Sequence, residues 1–510
     1  MNIKNDKHVE ITWRDALTTE WVNRISRRLE EKYRFVGMVG EFFQNEPIVR
    51  VVLAQDGKHS YEVLTLRLTG TPPAYPSLSG VSPAAIAFER EIGDLMGFSV
   101  SDQEAHPPLV FQESRPEGAY PLDPNFPSDG ELKLKPVQRQ TPLIEAQGEF
   151  QFTVGPVRSG TEEAQQFVFN TVGEEMLYLD VRLYYKHRGL EKAFQNKSPM
   201  MAIPLAERIS GRSSFAHSLA FCQAIESILD IRPPMRALYL RTLYAELERL
   251  HSHFQDLGDL CESTSLPVLE SPWTWLKEQT LRLNTQLGLT RYLRSVNVIG
   301  GVTKDLGEDK LDLLQSAISK IASQYRKASR LSQKTYSHVQ RLENTGALSD
   351  TVARDYGCVG PVARASDVEV DARYDHPYAA YPFLQWRRSG YIGGDAFARM
   401  VVRLQEMEES LNMVRQCADW LRMHPGPTIE PHDWNQVRHG GVGLGWAETP
   451  RGETVHFVRL NDDGSIARVK FRTPSFMNWQ PFPLTIEGIM MPDFAVNKAS
   501  WNLSVAGNDL

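Results

Sequence analysis

One stretch of the chain has the spacing of a paired metal-binding motif but carries hydroxyl groups where the ligands would stand. Residues 207–218 read Glu-Arg-Ile-Ser-Gly-Arg-Ser-Ser-Phe-Ala-His-Ser, with Ser210 and Ser213 three positions apart. Cysteines at this spacing would offer two thiolates to one soft transition metal. A Ser hydroxyl is hard to deprotonate near neutral pH and is a poor substitute, so the stretch predicts a site that does not retain such a metal.

Further motifs follow in a fixed order along the chain. They are Gly-Pro at 155–156, Tyr-Tyr-Lys-His-Arg-Gly-Leu-Glu-Lys at 184–192, Gly-Gly-Val at 300–302, Gly-Pro-Val-Ala-Arg-Ala-Ser at 360–366 with Asp-His-Pro-Tyr at 375–378, and Glu-Thr-Pro-Arg-Gly-Glu at 448–453. Together with residues 207–218, this series resembles the large subunit of nickel-iron hydrogenases and the quinone-proximal large subunit of respiratory complex I.

The N-terminal part carries a resemblance of its own. Residues 88–97, Phe-Glu-Arg-Glu-Ile-Gly-Asp-Leu-Met-Gly, are similar to the small subunit that lies beside the large one in complex I and is fused to it in formate-hydrogenlyase-type enzymes. The whole chain thus resembles the fused large subunit of hydrogenase-4-type, complex-I-like membrane assemblies. This implies an α+β fold: a small-subunit-like α+β domain over 1–128, a linker over 129–147, and over 148–510 a hydrogenase-large-subunit-like domain with a long helical bundle and flanking strands.

The resemblance also implies where a second ligand pair would lie. In the family, a nickel-iron site takes four thiolates from two Cys-x-x-Cys pairs, the second near the C-terminus. Alignment puts Ser504 and Gly507 at those positions, so neither pair contains a cysteine. We call Ser210 with Ser213 the N-terminal pair and Ser504 with Gly507 the C-terminal pair. We expect no nickel-iron centre and no other metal in this chain.

Tyr185 is the best candidate for contact with a quinone. It matches the Tyr that, in the complex I family, hydrogen-bonds the quinone carbonyl, and a phenol with a pKa of about 10 can donate both a hydrogen bond and a proton. The alternative is a fold-supporting residue at a strand edge. The family's second quinone-binding residue, a His, and its Asp partner are replaced by Glu162 and Ser210. A quinone site here would therefore use different chemistry, with an open polar cavity expected where the metal is missing.

Charged residues near the same place complete the candidate site. Glu163 aligns with the proton-relay Glu of the hydrogenases, and burial would raise its pKa enough to pass protons; the alternative is a solvated loop residue. Arg158 and Arg212 are cations that could neutralise a carboxylate or hold an anionic or quinone-like ligand. Arg208 and His217 are expected to be structural or to face the terminal 4Fe-4S cluster of a neighbouring small subunit.

Three further charges lie on a predicted helix whose family counterpart is Glu-Leu-x-Arg-Leu-x-x-His. Glu246, Glu248 and Arg249 are interpreted as paired helix-surface charges, with a charge path towards the membrane arm as the alternative. His251 and His253 lie two positions apart on the same helix, so they face different directions and do not form a metal-ligand pair.

Composition limits the function classes. The 510 residues carry 56 Lys and Arg against 63 Asp and Glu, a net charge of −7 without a basic stripe, which argues against nucleic-acid binding. There is no run of about 18 apolar residues and no apolar segment at the start, so we expect a soluble, unexported chain. Four scattered cysteines indicate reduced, buried thiols rather than disulfides.

Periodicity supplies the elements that must position these residues. Alternating apolar and polar positions predict a hairpin over 48–68 with a turn at Asp56-Gly57, strands over 148–185 with a turn at Gly173, and strands over 454–471 with a turn at 462–464 before an irregular C-terminus. Apolar residues three and four apart predict helices over 21–33, 84–96, 206–229, 235–260, 274–289, 310–342 and 395–422. A Pro- and Gly-rich stretch over 107–136 is the expected domain boundary.

Two functions are compatible with this sequence. In the first, the chain passes electrons from a 4Fe-4S cluster in a small partner subunit to a quinone. In the second, it is a non-catalytic core that couples a cluster subunit to membrane-embedded, antiporter-like subunits. Either role places it on the cytoplasmic face of the inner membrane. The electron donor stays open between formate, NADH and ferredoxin, and no Gly-x-Gly-x-x-Gly supports NAD binding by this chain.

Overall fold

The chain folds as the predicted mixture of helices and strands. The computed structural model describes residues 9–101, 107–126, 133–137, 141, 146–158, 162–432 and 440–510. Parts of the predicted domain boundary, 107–136, and of the predicted linker, 129–147, lie outside these ranges. Within the described residues, no helix combines the length and the apolar character needed to cross a membrane.

A four-stranded sheet dominates the N-terminal part. Its strands are β1 (Glu10–Ala16), β2 (Arg34–Phe43), β3 (Glu46–Gln55) and β4 (Ser60–Arg67), in the order β1-β4-β3-β2. The hairpin of β3 and β4 confirms the prediction around Asp56-Gly57, and β1 joins β4 in parallel. Helices α1 (Trp21–Glu30) and α2 (Ala85–Met96) lie where they were predicted. Short strand pairs join β5 (Ala74–Tyr75) to β6 (Ser99–Val100) and β7 (Ser114–Pro116) to β8 (Leu134–Pro136).

A second, three-stranded antiparallel sheet follows. It consists of β9 (Glu149–Val154), β10 (Gln166–Val172) and β11 (Glu175–Arg182), with β10 in the middle. The predicted turn at Gly173 connects β10 to β11, and its φ of 59° is a conformation that glycine adopts without strain.

The bundle that follows is mostly helical and packs around one central helix. The helices are α3 (Leu190–Phe194), α4 (Pro199–Ala206), α5 (Ser214–Leu229), α6 (Met235–Ser263), α7 (Pro267–Gln286), α8 (Glu308–Lys334), α9 (Tyr336–Leu342), α10 (Asp350–Asp355), α11 (Gly360–Ala365), α12 (Ala372–Asp375) and α13 (Ala396–Met423). A two-stranded ribbon of β12 (Asn297–Val298) and β13 (Gly301–Val302) lies between α7 and α8. The central helix is α6, which packs against α5, α7 and α13.

Two of the predicted helices differ from the structure. The helix predicted over 206–229 begins only at Ser214, because residues 207–213 form an irregular connection between α4 and α5. Ser210, Gly211 and Ser213 favour turns and helix starts over helix interiors. The helix predicted over 310–342 is interrupted at Thr335, whose ψ of 100° is extended.

The C-terminal section closes the structure with a sheet and short helices. Its strands are β14 (Gly441–Thr449), β15 (Gly452–Leu460) and β16 (Ile466–Arg472), followed by α14 (Pro474–Asn478), α15 (Phe494–Trp501) and α16 (Val505–Asp509). The predicted hairpin at 462–464 is confirmed, but the expectation of an irregular C-terminus is wrong. Strand β14 was not predicted, because Gly443 and Gly445 interrupt its alternation of apolar and polar residues. Both positions need glycine, since Cβ atoms there would lie 2.3 and 2.0 Å from carbonyl oxygens of α5.

Candidate functional site

The two predicted pairs meet in the folded chain. Ser210 Oγ donates to Ser504 Oγ over 3.3 Å, although the residues are 294 positions apart. A Cβ at Gly507 would lie 3.4 Å from that of Ser210. Ser210, Ser213 and Ser504 are 5%, 2% and 8% exposed. The fold therefore gathers residues from both pairs at one buried place, as the alignment of the C-terminal pair requires.

Ordinary hydrogen bonds occupy the hydroxyl groups at this place. Ser504 Oγ accepts from Gly507 N at 2.9 Å and so caps α16, while Thr473 Oγ1 donates to Gly507 O at 2.7 Å. The open polar cavity that we expected is thus replaced, between Ser210 and Ser504, by direct contact of side chains. Among the described residues, no group of three or more His, Cys, Asp or Glu side chains could hold a metal ion, and the four cysteines are buried and free.

At each pair a helix begins whose first N–H groups bind a carboxylate: α5 starts directly after Ser213, and α16 starts directly after Ser504 and contains Gly507. Glu163 Oε2 accepts from Val505 N at 2.8 Å and from Ala506 N at 3.2 Å, at the start of α16. Glu163 is therefore a loop residue with fixed partners at the start of α16, while 32% of its side chain remains exposed and Lys186 Nζ lies 3.6 Å from its Oε1. Its role as a proton relay stays a prediction.

Glu248 makes the equivalent contact at the start of α5. Its two oxygens accept from Phe215 N at 2.7 Å and from Ala216 N at 3.0 Å. Burial raises the pKa of Glu248 to about 8, against the lowering effect of these two hydrogen bonds. Sequence reasoning assigned Glu248 no such role, because nothing in a helix pattern identifies a partner 33 positions away.

Tyr185 lies at the margin of the region where the pairs meet. Its half-buried phenol donates to Gln166 Oε1, 3.2 Å away on β10. The next residue, Lys186, donates its backbone N–H to Asp509 Oδ2 at 2.9 Å. The segment that begins with Tyr185 is therefore attached directly to α16.

Arg188 ties this segment to both pairs, and the sequence did not single it out. Its guanidinium donates to Arg208 O at 2.7 Å, to Ile209 O at 3.2 Å and to Ala506 O at 2.7 Å. The carbonyls belong to residues beside Ser210 and between Ser504 and Gly507. Arg188 therefore fixes the relative position of the two pairs.

The four remaining predicted site residues are scattered around this region. Arg158 contacts Glu162 Oε2 at 3.3 Å, and Arg208 is exposed and donates to Pro204 O at 2.6 Å. Arg212 donates to Asp256 Oδ1 at 3.0 Å and to Asn502 Oδ1 at 3.1 Å, so it joins α6 to the segment before Ser504.

His217 is wholly internal. It is 1% exposed, and its Nδ1 lies 3.1 Å from His456 Nε2 on β15. Burial, with a smaller contribution from Arg451, lowers the pKa of His217 to about 3, so the ring is neutral. Of the two expectations for His217, the structural role fits this packing; a side chain facing a neighbouring subunit does not.

The three charges of α6 are buried rather than paired on the surface, so the first interpretation of Glu246, Glu248 and Arg249 is wrong. Their exposed fractions are 0%, 1% and 0%. Arg249 contacts Glu246 at 3.2 Å and Glu406 of α13 at 3.3 Å. Helix α6 is surrounded on all sides. Arg249 is paired with a carboxylate of the same helix and one of α13, whereas Glu248 binds backbone N–H groups of α5.

Known proteins resemble this chain over most of its length. The model of the respiratory-chain NADH dehydrogenase 49 kDa subunit matches residues 273–440 and 436–509, and the model of nickel-dependent hydrogenases matches residues 188–260. Formate hydrogenlyase subunit 5 of Escherichia coli is 27% identical over 87% of this chain and 78% of its own length. The C/D 2 polypeptide of the NADH-quinone oxidoreductase of Aquifex aeolicus is 27% identical over 88% and 84%.

A third relative has higher identity over a shorter stretch. The membrane-bound hydrogenase subunit alpha of Pyrococcus furiosus is 31% identical over 68% of this chain and 84% of its own length. Such relatives are subunits of membrane-bound hydrogenases and of NADH-quinone oxidoreductases, and the similarity to the C/D polypeptide extends across both parts of the chain. The chain therefore belongs to the family of complex-I-like hydrogenase large subunits, in the form in which the C and D subunits are fused.

Proposed function

We propose that this chain passes electrons from a 4Fe-4S cluster of a small partner subunit to a quinone bound beside Tyr185. The position of Tyr185 carries the proposal. Its phenol is half-buried and is oriented by a hydrogen bond to Gln166. Tyr185 is also the first residue of the segment that is hydrogen-bonded to α16. A phenol so placed can donate a hydrogen bond to a quinone carbonyl and a proton to the reduced oxygen.

Glu163 supports the same proposal as a source of protons. It contacts Lys186, the neighbour of Tyr185, and one third of its side chain is exposed. Reduction of a quinone to a quinol consumes two electrons and two protons. A solvent-exposed carboxylate near the phenol can supply these protons from water. Tyr185 and Glu163 are the proposed catalytic groups, with Arg158 and Arg212 as nearby cations.

The proposed setting follows that of the relatives. The chain would lie at the cytoplasmic face of the inner membrane, between a small Fe-S subunit and membrane-embedded quinone or antiporter-like subunits. It would bind neither nickel nor iron itself, since hydroxyl groups and a glycine stand at ligand positions. Elemental analysis of the purified complex tests this: iron should match the cluster content of the partner, and about one nickel per chain would contradict it.

Tyr185→Phe tests the quinone site. The variant keeps the ring but loses the hydroxyl, so reduction of a short-chain ubiquinone by the intact complex, with reduced methyl viologen as donor, should fall about ten- to a hundred-fold. Tyr178→Phe is the matched control, because Tyr178 is a half-buried tyrosine of β11, the strand that ends shortly before Tyr185. Unchanged quinone reduction in an assembled Tyr185→Phe complex would contradict the site.

A non-catalytic core is the second candidate function. The direct contact between Ser210 and Ser504 favours it, because side chains fill part of the place where a ligand was expected. If Tyr185→Phe has no effect while removal of the chain abolishes assembly of the complex, the chain acts as a coupling scaffold.

A further inference from the structure

An open groove of about 500 Å³ lies between α7 and α8. Its lining includes Trp275 and Leu276 of α7 and Gln324, Lys327, Ala328 and Leu331 of α8, and we call it the α7/α8 groove. Leu276 and Ala328 are buried at its base, whereas Trp275 and Leu331 are 47% and 43% exposed at its sides. The volume lies within the range of about 300–1,000 Å³ that is usual for ligand-binding pockets.

The two helices that form the groove are fixed to each other in the interior of the bundle. Trp273, wholly buried on α7, donates from Nε1 to Ser332 Oγ of α8 at 3.0 Å. Its ring lies 6.3 Å from that of Tyr325 on α8, and the Tyr325 hydroxyl donates to Leu404 O of α13 at 2.6 Å. The groove is therefore preformed, and a ligand can enter it without rearranging the helices.

The α8 side of the groove is positively charged. Residues 319–334 contain five Lys and Arg residues and no Asp or Glu. Arg326 is paired with Glu408 of α13 at 3.0 Å. The other four cations make no ion pair with any described residue, and none of the residues that line the groove is acidic: Lys320, Lys327, Arg330 and Lys334. This charge favours an occupant that carries carboxylates.

Three of these cations share the side of α8 that borders the groove. Lys320, Lys327 and Lys334 are seven positions apart, close to two helical turns, so they project from the same side of the helix as Gln324 and Leu331. They form a row about 21 Å long beside the apolar lining. A helix that lies along the groove can place carboxylates at the same spacing opposite this row.

The shape of the surface distinguishes between two kinds of anionic partner. A bilayer is broad and flat, so it would contact the lysine row but leave the recessed side chains of Leu276 and Ala328 uncovered. A helix packs between two others with its axis about 8–10 Å from theirs, and its apolar side chains can reach this base. The groove therefore fits an amphipathic helix better than an anionic membrane.

We propose that the α7/α8 groove binds an acidic amphipathic helix of another subunit of the assembled complex. Apolar side chains of this helix cover Trp275 and Leu331, and its carboxylates pair with Lys320, Lys327 and Lys334. The helix has at least about 15 residues, because the lysine row is that long. This contact goes beyond the proposed quinone reduction and does not depend on it.

Photo-cross-linking in the intact complex identifies the occupant. Gln324, an exposed residue that lines the groove, is replaced by p-benzoylphenylalanine, and the cross-linked peptides are sequenced by mass spectrometry. We expect one segment of another subunit, with apolar residues three and four apart and acidic residues at the spacing of the lysines. Gln333 is the matched control position, because it is an exposed glutamine on the opposite side of α8. The same replacement there should not cross-link to this segment.

Charge reversal tests the lysine row. Lys327→Glu combined with Lys334→Glu turns two attractions into repulsions, so the cross-link yield per complex from position 324 should fall at least about ten-fold. Trp275→Ala removes an apolar contact and should lower the yield by a similar factor. Lys304→Glu is the matched control, since Lys304 is an exposed lysine of the loop before α8, and it should leave the yield unchanged.

Ionic strength provides a test without charge substitutions. Added salt should lower the cross-link yield in the complex with wild-type lysines, because exposed ion pairs are screened. A cross-link to phospholipid, to a second copy of this chain or to the chain itself would overturn the proposal, as would the absence of any cross-link. A yield that responds neither to charge reversal nor to salt would also overturn it, because carboxylates would then play no part in the contact.

Discussion

Glu248 and Glu163 each bind two backbone N–H groups at the start of a helix that begins at one of the two pairs. At α5, Glu248 is 1% exposed and burial raises its pKa to about 8. At α16, 32% of the Glu163 side chain is exposed, and Lys186 lies beside it. The same local contact is therefore made in two different surroundings, one buried and one partly exposed to solvent.

The difference separates a structural carboxyl from one that can exchange protons with solvent. Near neutral pH, Glu248 is largely protonated inside the protein, where its main effect is to satisfy two buried N–H groups. Glu163 makes the same kind of bonds while remaining accessible beside the Tyr185 segment. Accessibility, more than hydrogen-bond pattern, distinguishes the candidate proton donor.

Removing each carboxyl should give the largest contrast. Glu248→Ala leaves the N–H groups of Phe215 and Ala216 buried without acceptors, so the free energy of unfolding should fall by about 2–4 kcal/mol. Glu163→Ala should cost about 1 kcal/mol, because water can replace the carboxylate at α16. Denaturant unfolding of both variants measures the contrast, and equal losses would show that burial does not distinguish the sites.

The pH dependence of stability should show a smaller effect at Glu248. Its pKa is about 8 in the folded chain, against an ordinary value of 4.5. Between these values the folded state holds a proton that the unfolded state has released, so this group makes stability fall as pH rises. Glu248→Gln imitates the protonated form and should flatten the fall in Tm between about pH 5 and 8. Glu343→Gln on the bundle surface controls for the loss of one negative charge; equal slopes in both variants would count against a neutral Glu248.

Ser210→Ala should have the smallest effect. The variant loses one hydrogen bond to Ser504, whose Oγ still accepts from Gly507 N. Stability should fall by no more than about 1 kcal/mol, and quinone reduction should keep its wild-type rate. A loss of turnover comparable to that of Tyr185→Phe would place the Ser210 hydroxyl in the working site.

Sequence reasoning was most successful where contacts are short-range or where ordered motifs carry the information. Local patterns were enough to predict the turns at Asp56-Gly57 and Gly173. The order of the motifs was enough to predict that Ser504 and Ser210 belong to one site. The buried charges of α6 could not be recognised, because charged residues usually mark a solvated helix face. Their partners, among them Glu406 at 157 positions from Arg249, are brought in by tertiary packing alone.

Glu163 shows a further limit of local patterns. Its contact with Val505 N spans 342 positions, and a loop glutamate beside a second glutamate carries no sign of such a partner. Tyr185 was identified by resemblance, but its partner Gln166 is brought near by the pairing of β10 with β11, which places Gln166 opposite Arg182. Residue identity indicated the chemistry in both cases, and long-range packing determined the geometry.

The contacts between the N-terminal and C-terminal sheets bear on stoichiometry. Arg34 donates to Glu453 at 2.8 Å, Arg459 to Glu41 at 2.6 Å, and Arg472 to Val36 O at 3.1 Å. These side chains would bring the two parts together even as separate polypeptides. The covalent link then acts mainly by raising their effective concentration, since it turns a bimolecular association into an intramolecular one. Fusion thereby holds the two parts at a ratio of one to one in every assembled complex, whatever the rate at which either is made.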